Sequence, residues 1–302
     1  MHSDFPIRKP TKVTKNPNRH SMKAFIVVMV LMMFFATFYN IVNPHRVQIP
    51  DEGQIFVHFI DIGQGDSILI QSAEHAILID GGDFSERTRL LSYLRSIGIT
   101  RLDLVVATHP HSDHIGGLVS VLNQLDIGHV LIPNVINTTT VFEQLLLAIE
   151  NNNIPVTVPK SGHRIQAGII ELDVIGPLHG YHGNVNNSSI ILRMTHGYTS
   201  FLFTGDMEEI AEIELVNSGV VLRSNVLKVA HHGSQTSTSD IFLETVSPDI
   251  AIISVGENNR FGHPSINIIN TLEALGIHVF RTDIHGTVIL STNGSQIHLM
   301  NR

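Results

Sequence analysis

One ten-residue stretch constrains this chain more than any other. Leu104–Ala107 (LVVA) is a short continuous apolar run, which reads as a buried strand. Thr108-His109-Pro110-His111-Ser112-Asp113-His114-Ile115-Gly116-Gly117 follows it directly. Three histidines and one aspartate therefore fall within six residues at the carboxyl end of a strand. His109 and His111 alternate along an extended loop and can reach one metal ion. Asp113 and His114 lie where the loop turns into the next helix and can reach a second. Imidazole and carboxylate donors suit Zn, Mn or Fe. The bland alternative is a polar loop with surface histidines, and the density and placement of donors argue against it.

Composition narrows the remaining chemistry. The chain has 302 residues, 43% hydrophobic and 15% charged, enough to bury a full core and to exclude intrinsic disorder. Cysteine is absent, which excludes disulfide scaffolds, Cys-ligated zinc fingers, iron–sulfur clusters and thiol catalysis. There is no tryptophan and aromatics are 6%, which argues against a base-stacking platform. Histidine is the outlier, with 19 residues. The first 23 residues hold six Lys/Arg against Asp4, leaving thirteen basic and twenty-six acidic side chains for the rest. The body is acidic, so a broad basic face for duplex DNA is not expected.

Ala24–Val42 (AFIVVMVLMMFFATFYNIV) carries no charge over 19 residues. As a helix it would span about 28 Å, close to the hydrocarbon thickness of a bilayer. Its basic flank precedes it, so the positive-inside rule places residues 1–23 in the cytoplasm and the body outside the cell membrane. A cleaved signal peptide followed by secretion is the alternative. The run is longer than a signal core and Ala36-Thr37-Phe38 is a poor cleavage site, so a single-pass anchor is favoured. Residues 43–53 read as a linker and 54–302 as the folded body.

Along the body, strand-like runs alternate with helical ones. Ile55–Ile60, Ser67–Ile70 and Ala76–Ile79 read as strands joined by tight turns, and Arg87–Ile97 as a helix. Leu118–Leu125, Val141–Glu150, Met207–Val216 and Ser265–Leu275 have helical spacing. Strands are predicted near 129–132, 155–158, 169–175, 190–194, 201–203, 226–230, 250–254, 278–280 and 288–290. Hairpins mixed with strand–helix units predict an α/β fold in which sheets are covered by helices, not a doubly wound sheet.

The histidine loop resembles the H-x-H-x-D-H signature of the metallo-β-lactamase superfamily, and further motifs follow in order. Ile79-Asp80-Gly81-Gly82, Phe203-Thr204-Gly205-Asp206 and Val229-Ala230-His231-His232-Gly233-Ser234 are similar to that family's strand-end Asp, bridging Asp and late His motifs. Phe59-Ile60-Asp61-Ile62-Gly63-Gln64-Gly65-Asp66, Phe261-Gly262-His263-Pro264 and Arg281-Thr282-Asp283 resemble the ComEC competence branch, over roughly residues 54–300. In that branch the domain is joined to a multi-spanning DNA channel. With a single candidate span, this chain reads as a standalone hydrolase domain.

The resemblance implies an αββα sandwich holding one or two divalent ions, Zn²⁺ or Mn²⁺. The implied ligands are His109, His111, Asp113, His114, Asp206 and one of His231 and His232; which late histidine ligates stays open. Asp113, His231 and His263 are the implied catalytic groups. The superfamily's usual further histidine is replaced within Asn186-Asn187-Ser188-Ser189, which opens the question of metal stoichiometry. His182 and His196 are not expected to ligate. Asp61 and Asp66 read as turn residues or supports, Asp80 as orienting the histidine loop. Asp283 is open between a structural and a functional role. His58 and His75 read as core or surface histidines, and Glu208, Glu209, Glu212 and Glu214 as a solvated helix face. The implied reaction is metal-assisted hydrolysis, of a phosphodiester such as DNA outside the membrane. Alternatives are hydrolysis of a phosphocholine ester, lactone or β-lactam, and a non-catalytic, membrane-tethered accessory module of DNA uptake.

Overall fold

Period-two alternation of apolar side chains organises most of this chain. The computed structural model describes residues 25–32, 49–179 and 183–300. Residues 25–32 form a helix, α1, with exposed side chains. The rest of the expected anchor, residues 43–48 of the expected linker and His182 lie outside the described residues. Among the described residues, no helix is long and apolar enough to cross a membrane. The chain from Ile49 onward forms a compact unit of its own.

This unit begins with β1 (Ile55–Phe59), β2 (Ile68–Gln71), β3 (Ala76–Ile79), α2 (Arg87–Ser96), β4 (Arg101–Leu102) and β5 (Leu104–Val106). Next come α3 (Ser112–Ile115), α4 (Leu118–Gln124), β6 (Asp126–Ile127), β7 (Val130–Leu131), α5 (Thr140–Asn151) and β8 (Val156–Thr157). The middle of the chain forms β9 (Arg164–Ala167), β10 (Ile170–Gly176), β11 (Ile191–His196), β12 (Thr199–Phe203) and α6 (Glu209–Ser218). The remainder forms β13 (Val226–Lys228), α7 (Asp240–Val246), β14 (Ile250–Ile253), α8 (Ile266–Ala274), β15 (His278–Arg281), α9 (Thr282–His285), β16 (Val288–Thr292) and β17 (Ile297–Leu299).

Eight strands form one sheet in the order β17-β16-β1-β2-β3-β5-β7-β8, and seven a second in the order β15-β14-β13-β12-β11-β10-β9. Each sheet changes from antiparallel to parallel pairing part way across, at β3 in the first and at β12 in the second. Alternation then assigns the layers. Ile77 and Ile79, with Phe59 of β1, face the other sheet, where they join Leu192, Phe201 and Phe203 in one core. Ala76 and Leu78 face outward against Leu90 and Leu94 of α2 and Val121 of α4. Leu202 and Leu227 face outward on the second sheet against Leu215, Phe242 and Leu272 of α6, α7 and α8. The layers are helix, sheet, sheet, helix, as expected. Each fully buried Ile, Leu or Phe contributes roughly 1.5–3 kcal/mol over its exposed state.

Strands β9 and β17 and helix α7 are not among the expected elements. β9 is an edge strand whose residues alternate between exposed and half-buried, so its apolar signal is faint. The acidic helix needs a correction. Glu212 is fully buried, and its carboxylate accepts hydrogen bonds from the N–H groups of Thr238 and Ser239 just before α7. The strand expected to reach Ala230 ends at Lys228. The chain then takes left-handed conformations at His231 and His232 (φ 49° and 55°). The carboxyl ends of β3, β5, β12, β13 and β14 gather at one end of the sandwich through the parallel halves of both sheets.

Candidate metal centre

Asp80 leaves β3 with its carboxylate fully buried. It accepts from the Thr108 N–H at 2.8 Å, the Thr108 hydroxyl at 2.6 Å and His114 Nδ1–H at 2.8 Å. The histidine loop is thereby pinned, as expected for this aspartate. These bonds also set tautomers. The Thr108 hydroxyl proton is committed to Asp80, so its oxygen accepts from Nδ1–H of His109 at 3.2 Å. His114 gives its Nδ1 proton to Asp80. His232 gives its own to the Ser254 carbonyl at 3.0 Å. In the neutral form of all three rings Nε2 is left with a lone pair.

Those lone pairs meet. His109 Nε2 lies 3.1 Å from His111 Nδ1 and 3.7 Å from Asp206 Oδ2. The same Asp206 oxygen lies 3.2 Å from His114 Nε2 and 3.5 Å from His232 Nε2. His232 Nε2 is 3.3 Å from Asp113 Oδ2. Ligands about 2.1 Å from a tetrahedral ion stand about 3.4 Å apart, and these separations bracket that value. Among the described residues three donor groups form. Asp66, Asp80 and His114 make one, but its carboxylates are already engaged by Thr108, His114 and Lys228. That leaves two: His109, His111 and Asp206 in one, Asp113, His114 and His232 in the other. His114 Nε2, His232 Nε2 and Asp206 Oδ1 are buried without a hydrogen-bond partner. Buried orphan acceptors are costly, and a cation would satisfy all three. The residues present fit one or two divalent ions.

Electrostatics agree. Burial opposes charge on Asp206, but His114, His232 and His109 outweigh it and hold the carboxyl well below its ordinary range. Burial likewise opposes charge on His232, yet Asp206, Asp113 and Asp66 raise it to about 10. The surroundings that retain a proton there favour a cation. Burial and the neighbouring His114 push His109 down, into the neutral form a ligand needs.

The two late histidines separate. His232 is buried among the donors. His231 is 22% exposed, with Nε2 3.9 Å from Asp206 Oδ2 and Nδ1 3.2 Å from the Thr236 hydroxyl. His263 stands near it, ring centroids 5.6 Å apart. The stretch in place of the usual histidine turns elsewhere. Asn187 Oδ1 accepts from the Glu208 N–H at 2.9 Å, and the Ser188 hydroxyl donates to the Val185 carbonyl at 2.6 Å. Ser189 accepts from the Asp206 N–H at 3.1 Å and so orients that aspartate. His196 binds the Gly53 carbonyl at 3.0 Å and is no part of either group.

Asp61 accepts from the Gly63 N–H at 3.3 Å, a turn role, and Asp283 pairs with Arg281. Glu208 is half-buried and accepts from Asn184 and Asn186 at 2.8 and 3.0 Å, which corrects its reading as solvated. Sequence reasoning missed Lys228, which pairs with Asp66 directly behind His232. Its signal was available: a lysine in an otherwise apolar strand, three residues before the late histidines. The donors open into a cavity of about 260 Å³ whose wall includes Gln64, Ser112, Phe261 and His263. Larger hollows of about 550 and 560 Å³ elsewhere hold neither donor group.

Comparison with known proteins agrees with this geometry. The model of the Metallo-beta-lactamase superfamily matches residues 60–257. ComE operon protein 3 of Bacillus subtilis is 33% identical over 250 residues, 77% of this chain and 32% of that protein. Competence protein ComA of Neisseria gonorrhoeae is 31% identical over 254 residues, 81% of this chain and 33% of that protein. The chain thus spans about a third of the length of these relatives. Among solved structures, the metallo-beta-lactamase fold protein YhfI from Bacillus subtilis superposes with a TM-score of 0.54 at 14% identity, covering 79% of this chain and 99% of its own. The chain belongs to the metallo-beta-lactamase superfamily, alongside the matching third of those competence proteins.

Proposed function

We propose that this chain is a metal-dependent phosphodiester hydrolase acting on DNA, held outside the membrane by residues 24–42. The observation that carries the reading is Asp206, whose Oδ2 stands within 3.7 Å of donors from both groups. One carboxylate shared in this way suits a pair of ions, and paired ions suit in-line displacement at phosphorus. When bound, the ions would supply Lewis-acid activation of water and of a phosphoryl oxygen at neutral pH.

The chain's own residues would do the rest. His109, His111 and Asp206 would hold one ion; Asp113, His114, His232 and Asp206 the other. Asp80, Thr108 and Ser254 hold the rings in the ligating tautomer. His231 and His263 stand at the cavity wall, placed to contact the substrate or leaving oxygen. Similarity to competence proteins supports DNA as the substrate. Among the described residues, Phe261 is the one aromatic ring on the cavity wall apart from the histidines, which disfavours a cage for a choline ester.

The test is hydrolysis of bis-p-nitrophenyl phosphate and a single-stranded oligonucleotide by residues 49–302, metal-free and then with Zn²⁺ or Mn²⁺. The expected result is metal-dependent cleavage of both, lost in Asp113→Ala with the fold retained. Cleavage of neither by metal-loaded protein sinks the proposal.

A further inference from the structure

Lys228 is a buried charge that the metal centre itself does not use. It ends β13 on the same face as Val226, so alternation turns it inward between the sheets. Its residue is 1% exposed. A buried ammonium needs a partner, and Nζ lies 2.7 Å from Asp66 Oδ2 and donates to the Val229 carbonyl at 2.9 Å. Asp66, between β1 and β2, is also 1% exposed. Its Oδ1 has no hydrogen-bond partner and lies 3.3 Å from Nδ1 of His232. Its N–H donates to the Asp113 carbonyl at 3.2 Å, and its own carbonyl accepts from the Gly82 N–H at 2.8 Å. Asp66 therefore touches both ends of one donor group.

That group is divided between the sheets. Asp113 and His114 follow β5 of the eight-stranded sheet; His232 follows β13 of the seven-stranded one. The layer between the sheets is apolar, and apolar contacts hold distance loosely compared with an ion pair locked by hydrogen bonds. Lys228 and Asp66 supply such a pair across the layers, beside the site. Against burial, the charges of Lys228 and His232 keep the Asp66 carboxyl below its ordinary range.

We propose that Lys228 and Asp66 form a positioning pair that bolts the two sheets together behind His232 and holds Asp113, His114 and His232 at ligand spacing. Lys228 fixes Asp66 from the second sheet. Asp66 then supports the His232 ring with its carboxylate and the Asp113 loop with its N–H. This rests on the reading of the site as a metal centre.

The test uses the full chain, stripped of metal and titrated against a chromophoric chelator. Lys228→Met alone strands a buried carboxylate and is expected to melt early. Asp66→Asn alone strands the buried Lys228 ammonium and is expected to melt early for the same reason. The informative variants remove both charges: Asp66→Asn combined with Lys228→Met, and Asp66→Asn combined with Lys228→Gln. Both are expected to melt near the parent when metal-free. Their affinity for Zn²⁺ should fall about 10–100-fold, the range for partners that orient ligands. The visible spectrum of the Co²⁺ form should shift with it. Parent-like affinity and spectrum in either folded double variant would overturn the proposal. A parent that binds no divalent ion overturns the metal-centre reading, and the pair's role with it, and is recognised because the parent fails.

Discussion

A histidine buried without a charged partner ties stability to pH, and His58 is one. It is 2% exposed, with Nδ1 2.7 Å from the Tyr93 hydroxyl and no hydrogen-bond partner for Nε2. Burial lowers its pKa from 6.5 to about 4. Between those values the unfolded chain takes up a proton that the folded chain refuses. Stability is therefore full above pH 6.5 and declines as pH falls toward 4, by roughly 3 kcal/mol from this group. His58→Gln should flatten that decline in urea unfolding between pH 7 and 4.5; equal slopes in parent and variant would refute the assignment. The late histidines make a second contrast. His232→Ala removes a buried donor and should weaken binding of one ion more than ~100-fold, beyond the usual loss for an outer partner. His231→Ala should leave metal content unchanged and lower turnover, as measured by metal analysis beside hydrolysis.

Among elements, the loops at the ends of β1, β3 and β5 are locked backbone to backbone. The Gly81 N–H reaches the His114 carbonyl at 2.6 Å and the Gly117 N–H the Gly82 carbonyl at 2.9 Å. A Cβ at Gly117 would lie 2.0 Å from the Gly81 carbonyl oxygen. Its φ of -70° suits any residue, so the glycine is required by close approach alone. Gly219, ending α6, is the converse: φ is +74° and a Cβ would meet nothing within 4 Å. Gly219→Ala should cost about 1 kcal/mol for the left-handed conformation and spare metal binding. Gly117→Ala must push the histidine loop off β3, costing about 1–3 kcal/mol or more and lowering metal affinity. Chemical denaturation with chelator competition separates the two; equal effects on metal affinity would contradict the locked-loop account.

Over the whole molecule, the folded body starts earlier than the apolar pattern implies. Pro50 is buried, and the Gly53 carbonyl accepts from His196 Nε2 at 3.0 Å. A fragment beginning at Gln54 should therefore be about 1–2 kcal/mol less stable than one beginning at Ile49, with the same metal content. Equal melting temperatures would show residues 49–53 to be dispensable.

The sequence by itself determined the strands and helices whose apolar period is strong, such as Ala76–Ile79 and Val141–Glu150. It also marked the candidate donors, because His109, His111, Asp113 and His114 lie within six residues at a strand's end. Local order along a chain is what such patterns encode. Only the tertiary structure separated His231 from His232. Adjacent residues in left-handed conformations point in different directions, and one ring meets Asp113 while the other faces Thr236. Only the tertiary structure showed Glu212 buried and Lys228 paired with Asp66, 162 positions away. A charged side chain in sequence carries no mark of its partner; the partner is set by how two sheets stack, and that stacking depends on the whole core.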